Sequence, residues 1–156
     1  MKLLNYISIS MAVCSAPAVL LADGHSQLSG HGTSVIIASN AMEGTTGTLV
    51  SQTSNDIWMW DNPPDGYPTA SKATCHQYIA FATGEMLPLG FLNVCQQVDV
   101  DGDISLLQAN PQPDGSFLVT QIAGTGKWAP YTGAQWGGKT DVRIGTHASV
   151  YSFAPK

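Results

Sequence analysis

The side chains in this sequence whose types and spacing could do chemistry fall into a few small groups. His76 and Tyr78 lie two residues apart, on one face of a strand-like run. An imidazole and a phenol can both exchange protons with a bound molecule, so this pair is the candidate for proton transfer. Trp58 and Trp60 share a face of the Asp56–Trp60 run. With Phe81 they are the candidates to pack an apolar or aromatic ligand. Each has a plainer reading, as a packed histidine or as core. Cys75 beside His76 would make a thiol–imidazole pair, but not if the sulfur is oxidised. No G-x-S-x-G element is present, and Glu43 and Glu85 are the only glutamates, so a glycosidase pair would need aspartates, which stand mostly in turns.

Two further motifs are similar to known ligand loops and depart from them. Asp99-x-Asp101-x-Asp103 is similar to the start of an EF-hand loop. That loop needs glycine at its sixth position and glutamate at its twelfth; here Gly102 comes too early and Asn110 stands at the twelfth. A weak calcium site and a solvated hairpin tip are the two readings left, and no metal ligand set is assigned. Gly124-Thr-Gly-Lys127 is similar to the end of a phosphate-binding loop. It lacks the earlier glycine, the Ser or Thr after the lysine and a following helix, so it reads as a tight turn. No cofactor is implied.

The acidic triplet fixes a turn, whatever else it does. A two-residue turn at Asp101-Gly102 would set apolar residues against polar ones. A three-residue loop, Val100-Asp101-Gly102, with Gly102 left-handed pairs Val98 with Ile104 and Asp99 with Asp103. The second register is expected.

The chain of 156 residues is long enough for one domain with a real core. Only 11% of residues are charged, and 16 glycines and 9 prolines punctuate it, a β-type composition. The net charge is −5 and the basic residues are scattered, which argues against nucleic acid and anionic membrane surfaces as partners. Residues 1–22 read as a secretory signal: Lys2, an apolar stretch from Ile7 to Val19, and cleavage after Ala22 or, alternatively, Ala18. The apolar run is too short and interrupted for a membrane anchor, and Val13 is bulky for lipid attachment at Cys14. The expected location is periplasmic or secreted, with residues 23–156 as the single domain. Cleavage would leave Cys75 and Cys95, on adjacent strands of one hairpin, within reach of a disulfide; two buried thiols are the alternative.

Strands are expected at His31–Ser39, Thr48–Thr53, Asp56–Trp60, Ala73–Ala82, Leu89–Val100, Phe117–Ala123 and Val142–Phe153, with the strongest loop at Asp61–Pro68. Asp23–Gly30 reads as a loose mature N-terminus. Turns at this spacing predict an all-β, antiparallel barrel or, alternatively, a β-sandwich.

The stretch from Cys75 to Trp136 resembles bacterial exported proteins of the allene oxide cyclase-like barrel group, which is related to dirigent-type and calycin barrels. The resemblance rests on Cys75, Cys95, Asp99-Val-Asp-Gly-Asp103, Phe117, Gly124-Thr-Gly-Lys-Trp128 and Thr132-Gly133 with Trp136; Pro130 departs from it. It implies an eight-stranded antiparallel barrel with a central cavity, often a homo-oligomer. It also implies a small apolar or aromatic ligand, with chemistry such as cyclisation, isomerisation or elimination directed by confinement. A barrel filled by its own side chains, serving as a structural or interaction module, is the competing function. No catalytic residue is carried over from the resemblance.

Overall fold

The computed structural model describes residues 28–156; the signal-like segment and Cys14 lie outside them. Eight strands follow in order: β1 (Gly30–Glu43), β2 (Gly47–Trp60), β3 (Ala70–Ala82), β4 (Pro88–Asp99), β5 (Ile104–Pro111), β6 (Phe117–Gly124), β7 (Gln135–Ile144) and β8 (Ala148–Pro155). Each pairs antiparallel with the next, and β8 returns to β1, so the sheet closes into an up-and-down barrel. Closure leaves no unpaired edge and decides between barrel and sandwich.

The alternation of a barrel wall is clearest at the end of β2. Asp56, Trp58 and Trp60 are buried, while Ile57 and Met59 face out. Two of the expected strands prove to be one, because Ser54 and Asn55 continue the ladder opposite Cys75 and Thr74. Two strands stand outside the expected set: β5, expected only as the second arm of the Asp99–Asp103 hairpin, and β7. The Gly-rich run after Trp136 is β7, and the single strand predicted over Val142–Phe153 is broken by a turn at Gly145, whose φ is +61°. That three-residue turn sets Ile144 opposite Ala148 and Val142 opposite Val150. Likewise Gly30, expected in a loose terminus, is the first residue of β1.

One end of the barrel is filled. A short 3-10 helix (Gly126–Tyr131) between β6 and β7 inserts Trp128 and Tyr131, and both are buried. Trp60 lies 5.4 Å from Trp128 and 5.2 Å from Phe153, ring centre to ring centre. Tyr67, from the Pro-rich loop, stands edge-on to Trp128 and Tyr131. Trp136 donates its indole N–H to the carbonyl of Leu28, which is fully buried. A polar rung crosses this packing without loss: Gln97 donates to Ser71 at 2.9 Å and accepts from Ser105 at 2.8 Å.

The Asp99–Asp103 hairpin adopts the three-residue register, with Val98 opposite Ile104 and Gly102 at φ +87°. Cys75 and Cys95 are directly opposed on β3 and β4 and joined by a disulfide.

Candidate functional site

The other end of the barrel is open. Above the aromatic plug lies a cavity of about 670 Å³, lined from all eight strands. Its apolar wall includes Ile36, Phe91, Phe117, Val119 and the Cys75–Cys95 bridge; its polar wall includes Ser34, Gln52, Gln77 and Asn93. Arg143 and His147 belong to the wall near the β7–β8 turn. A volume of this order suits a small organic molecule.

A hydrogen-bonded group from β2 and β8 forms the floor. Tyr151 donates its hydroxyl proton to Asp56 Oδ2 at 2.8 Å and accepts from the Trp58 indole N–H. Ser54 donates to the other oxygen, Asp56 Oδ1, at 2.7 Å. Asp56 and Trp58 are buried, at 6% and 7% exposure.

The sequence of β1 explains how residues on β2 and β8 meet. Those strands are separated by β1, a spacing of roughly 10 Å. Gly32 pairs with Trp58 on one side and with Tyr151 on the other, and it leaves a gap between them. A Cβ at Gly32 would run into the Tyr151 ring. Gly30, two residues earlier on the same face, lies in the same way between Trp60 and Phe153. The Gly30-His-Gly32 segment is therefore a groove across which two aromatic pairs close. Phe117 stands edge-on to Tyr151 at 5.8 Å and fixes its ring from the other side.

Burial pushes the Tyr151 phenol well above the ordinary tyrosine pKa, and the neighbouring Asp56 charge adds to the shift. Tyr151 accordingly holds its proton tightly and serves as a hydrogen-bond donor. Asp56 accepts one bond on each oxygen and keeps lone pairs for a further donor.

The predicted residues are distributed unevenly with respect to this cavity. Trp58 lines it. Trp60 belongs to the plug beneath; it borders a small inner chamber of about 40 Å³, and its buried Nε1 has no hydrogen-bond partner. Phe81 is half-buried at the end of β3 opposite Thr48 and Pro88, outside the cavity wall. His76 and Tyr78 lie on the outer face, out of phase with the inward Cys75 and Gln77. His76 Nδ1 lies 3.3 Å from the Thr53 hydroxyl, and Tyr78 is 45% exposed. The pair therefore does not face a molecule held inside the barrel. The alternation along β3 separates the two faces correctly, but strand periodicity alone does not say which points inward.

The two loop-like motifs turn out to be partners. Lys127 Nζ sits 3.0 Å from Asp99, 2.8 Å from Asp101 and 3.0 Å from Asp103. Trp128 adds a bond from its indole N–H to Asp99 at 2.9 Å, and the Lys127 backbone N–H donates to Asp103. Gly126 takes a φ of +50°, which favours glycine, and a Cβ there would displace the Asp103 carboxylate. The acidic tip and the Gly-Thr-Gly-Lys-Trp turn form one internal ion cluster that fastens the plug helix to the β4–β5 hairpin.

Asp56 and Tyr151 were not singled out from the sequence. Asp56 shares the face of Trp58 and Trp60 by the same period of two, a signal that could have found it. Comparison with protein-family models, curated proteins and solved structures returned no match.

Proposed function

We propose that this protein is an exported barrel that binds a small, largely apolar or aromatic molecule in its open end. The observation that carries the reading is the cavity of about 670 Å³ ending on a buried, hydrogen-bonded Asp56–Tyr151–Trp58 floor. A barrel serving only as a structural module has no need of an open cavity above a polar floor. The plug supplies rigidity, and the cavity supplies a shaped space with few reactive groups. Any rearrangement there proceeds by confinement, with Tyr151 and Asp56 as the polar groups at the floor that orient the bound molecule. The allene oxide cyclase-like resemblance is in keeping with this reading. So is export, since the Cys75–Cys95 bridge fits an oxidising compartment. Exposed apolar side chains on the outer wall, among them Tyr78 and Leu92, would be covered by self-association.

Native mass spectrometry of the protein purified from its own exported fraction tests the proposal. A retained small molecule is expected, and Ala109→Trp, which fills the cavity from β5, should lose it. A bare mass for the wild-type chain, or an adduct kept by the filled variant, would count against the cavity as the site.

A further inference from the structure

The described residues include two buried aspartates on the inner face of the barrel, and they are treated differently. Asp99, 7% exposed, is matched by the Lys127 ammonium and the Trp128 indole N–H. Asp56, 6% exposed, accepts only the hydroxyls of Ser54 and Tyr151. No cation among the described residues lies within ion-pair distance of it. A buried carboxyl without a cation is costly to ionise. Asp99 meets that cost with a lysine at the filled end. Asp56 sits at the floor of the open cavity, where a ligand can supply the charge.

The surroundings suit a cation. Trp58, Tyr151 and Phe117 all line the cavity around this floor, and aromatic faces attract ammonium groups. Arg143 and His147 are the basic side chains of the wall, and both are exposed near the β7–β8 turn. Their field is screened by solvent, whereas a charge seated against Asp56 is not. Attraction at the floor therefore outweighs repulsion at the mouth.

We infer that the cavity floor is a seat for an organic ammonium group: the ligand is an amine with an apolar or aromatic body, its nitrogen donating to Asp56. This rests on the binding function proposed above and names the head group that the site selects.

Calorimetric titration of the full chain with three probes of similar body tests it: phenethylamine, phenethyl alcohol and 3-phenylpropionate. The amine should bind at least about tenfold more tightly than the alcohol, and the carboxylate most weakly. Asp56→Asn should abolish the preference for the amine over the alcohol, bringing the two affinities within about twofold of each other. Tyr151→Phe, which keeps the carboxyl, should retain the preference. An alcohol or carboxylate that binds as well as the amine overturns the ammonium assignment while leaving the cavity reading standing. An Asp56→Asn protein that still prefers the amine does the same. If none of the three binds, the cavity reading falls, and this inference with it. Should Asp56→Asn fail to fold, the ranking of the probes on the wild type decides.

Discussion

Asp56 and Tyr151 meet across β1 because Gly32 has no side chain to keep them apart. Three changes separate the contributions at this scale. Tyr151→Phe removes the donor to Asp56 and the acceptor for Trp58, leaving two buried groups short of a partner. It should lower unfolding stability by about 1–3 kcal/mol, read from urea denaturation. Gly32→Ala should cost a similar amount, about 1–3 kcal/mol, by overpacking against the ring. It should also weaken ligand binding, because Tyr151 must move. His76→Ala, by contrast, should leave ligand affinity unchanged, since the imidazole lies outside the wall. The aromatic candidates Trp58 and Trp60 were legible from residue type and period, and Trp58 does line the cavity. The proton-transfer candidates fell on the wrong side of the sheet for a physical reason. A two-residue period separates faces but does not orient them, and His76 and Tyr78 carry no mark of facing outward.

At the scale of elements, the hairpin of β4 and β5 and the 3-10 helix hold each other through Lys127. Burial raises the Asp99 carboxyl, but Lys127, Trp128 and the backbone N–H groups of Asp101 and Asp103 outweigh it and bring it below the ordinary value of 3.8. Lys127 holds Asp103 below 3.8 as well. Asp101 foremost, with Asp103 and Asp99, raises Lys127 above its ordinary 10.5. Depressed carboxyls contribute stability that is present above 3.8 and lost as pH falls through their folded values. The raised lysine contributes stability that is present below 10.5 and lost as pH rises through its folded value. The cluster should therefore stabilise the fold across the range between. Lys127→Met should lower the thermal midpoint at neutral pH and flatten its fall in acid, compared with wild type in the same scan. An acid limb as steep in the variant as in the wild type would contradict the cluster's role. The turn register here was legible, because only one pairing brings Val98 to Ile104. The lysine's role was not, since the two motifs were read as separate loops, and it is the pairing of β5 with β6, with Ser105 opposite Gly124, that brings them together. The Cys75–Cys95 bridge closes 20 residues of chain. On the chain-entropy account, replacing both by serine should cost roughly 3 kcal/mol in denaturant unfolding.

At the scale of the whole molecule, one barrel has two unlike ends. Bulky aromatics of β2, β8 and the inserted helix fill one end, and smaller side chains leave the other open. The division follows the sequence along β2: Gln52, Ser54 and Asp56 face the cavity, and Trp60 faces the plug. The all-β antiparallel sheet was legible from strand spacing and turn chemistry, but these left barrel and sandwich open, and only the resemblance implied the closed barrel that the structure shows. Which end stays empty was not legible, because that depends on how side chains from all eight strands sum across the interior. The central claim is that a small molecule binds at the open end against the Trp58–Tyr151–Asp56 floor. The most direct measurement is a two-dimensional nitrogen–proton spectrum of the tryptophan indoles during titration with phenethyl alcohol. The Trp58 indole N–H, bonded to Tyr151 at the floor, should shift progressively and saturate, while those of Trp128 and Trp136 in the plug stay in place. An unmoved Trp58 signal, or equal shifts at Trp128 and Trp136, would contradict the account.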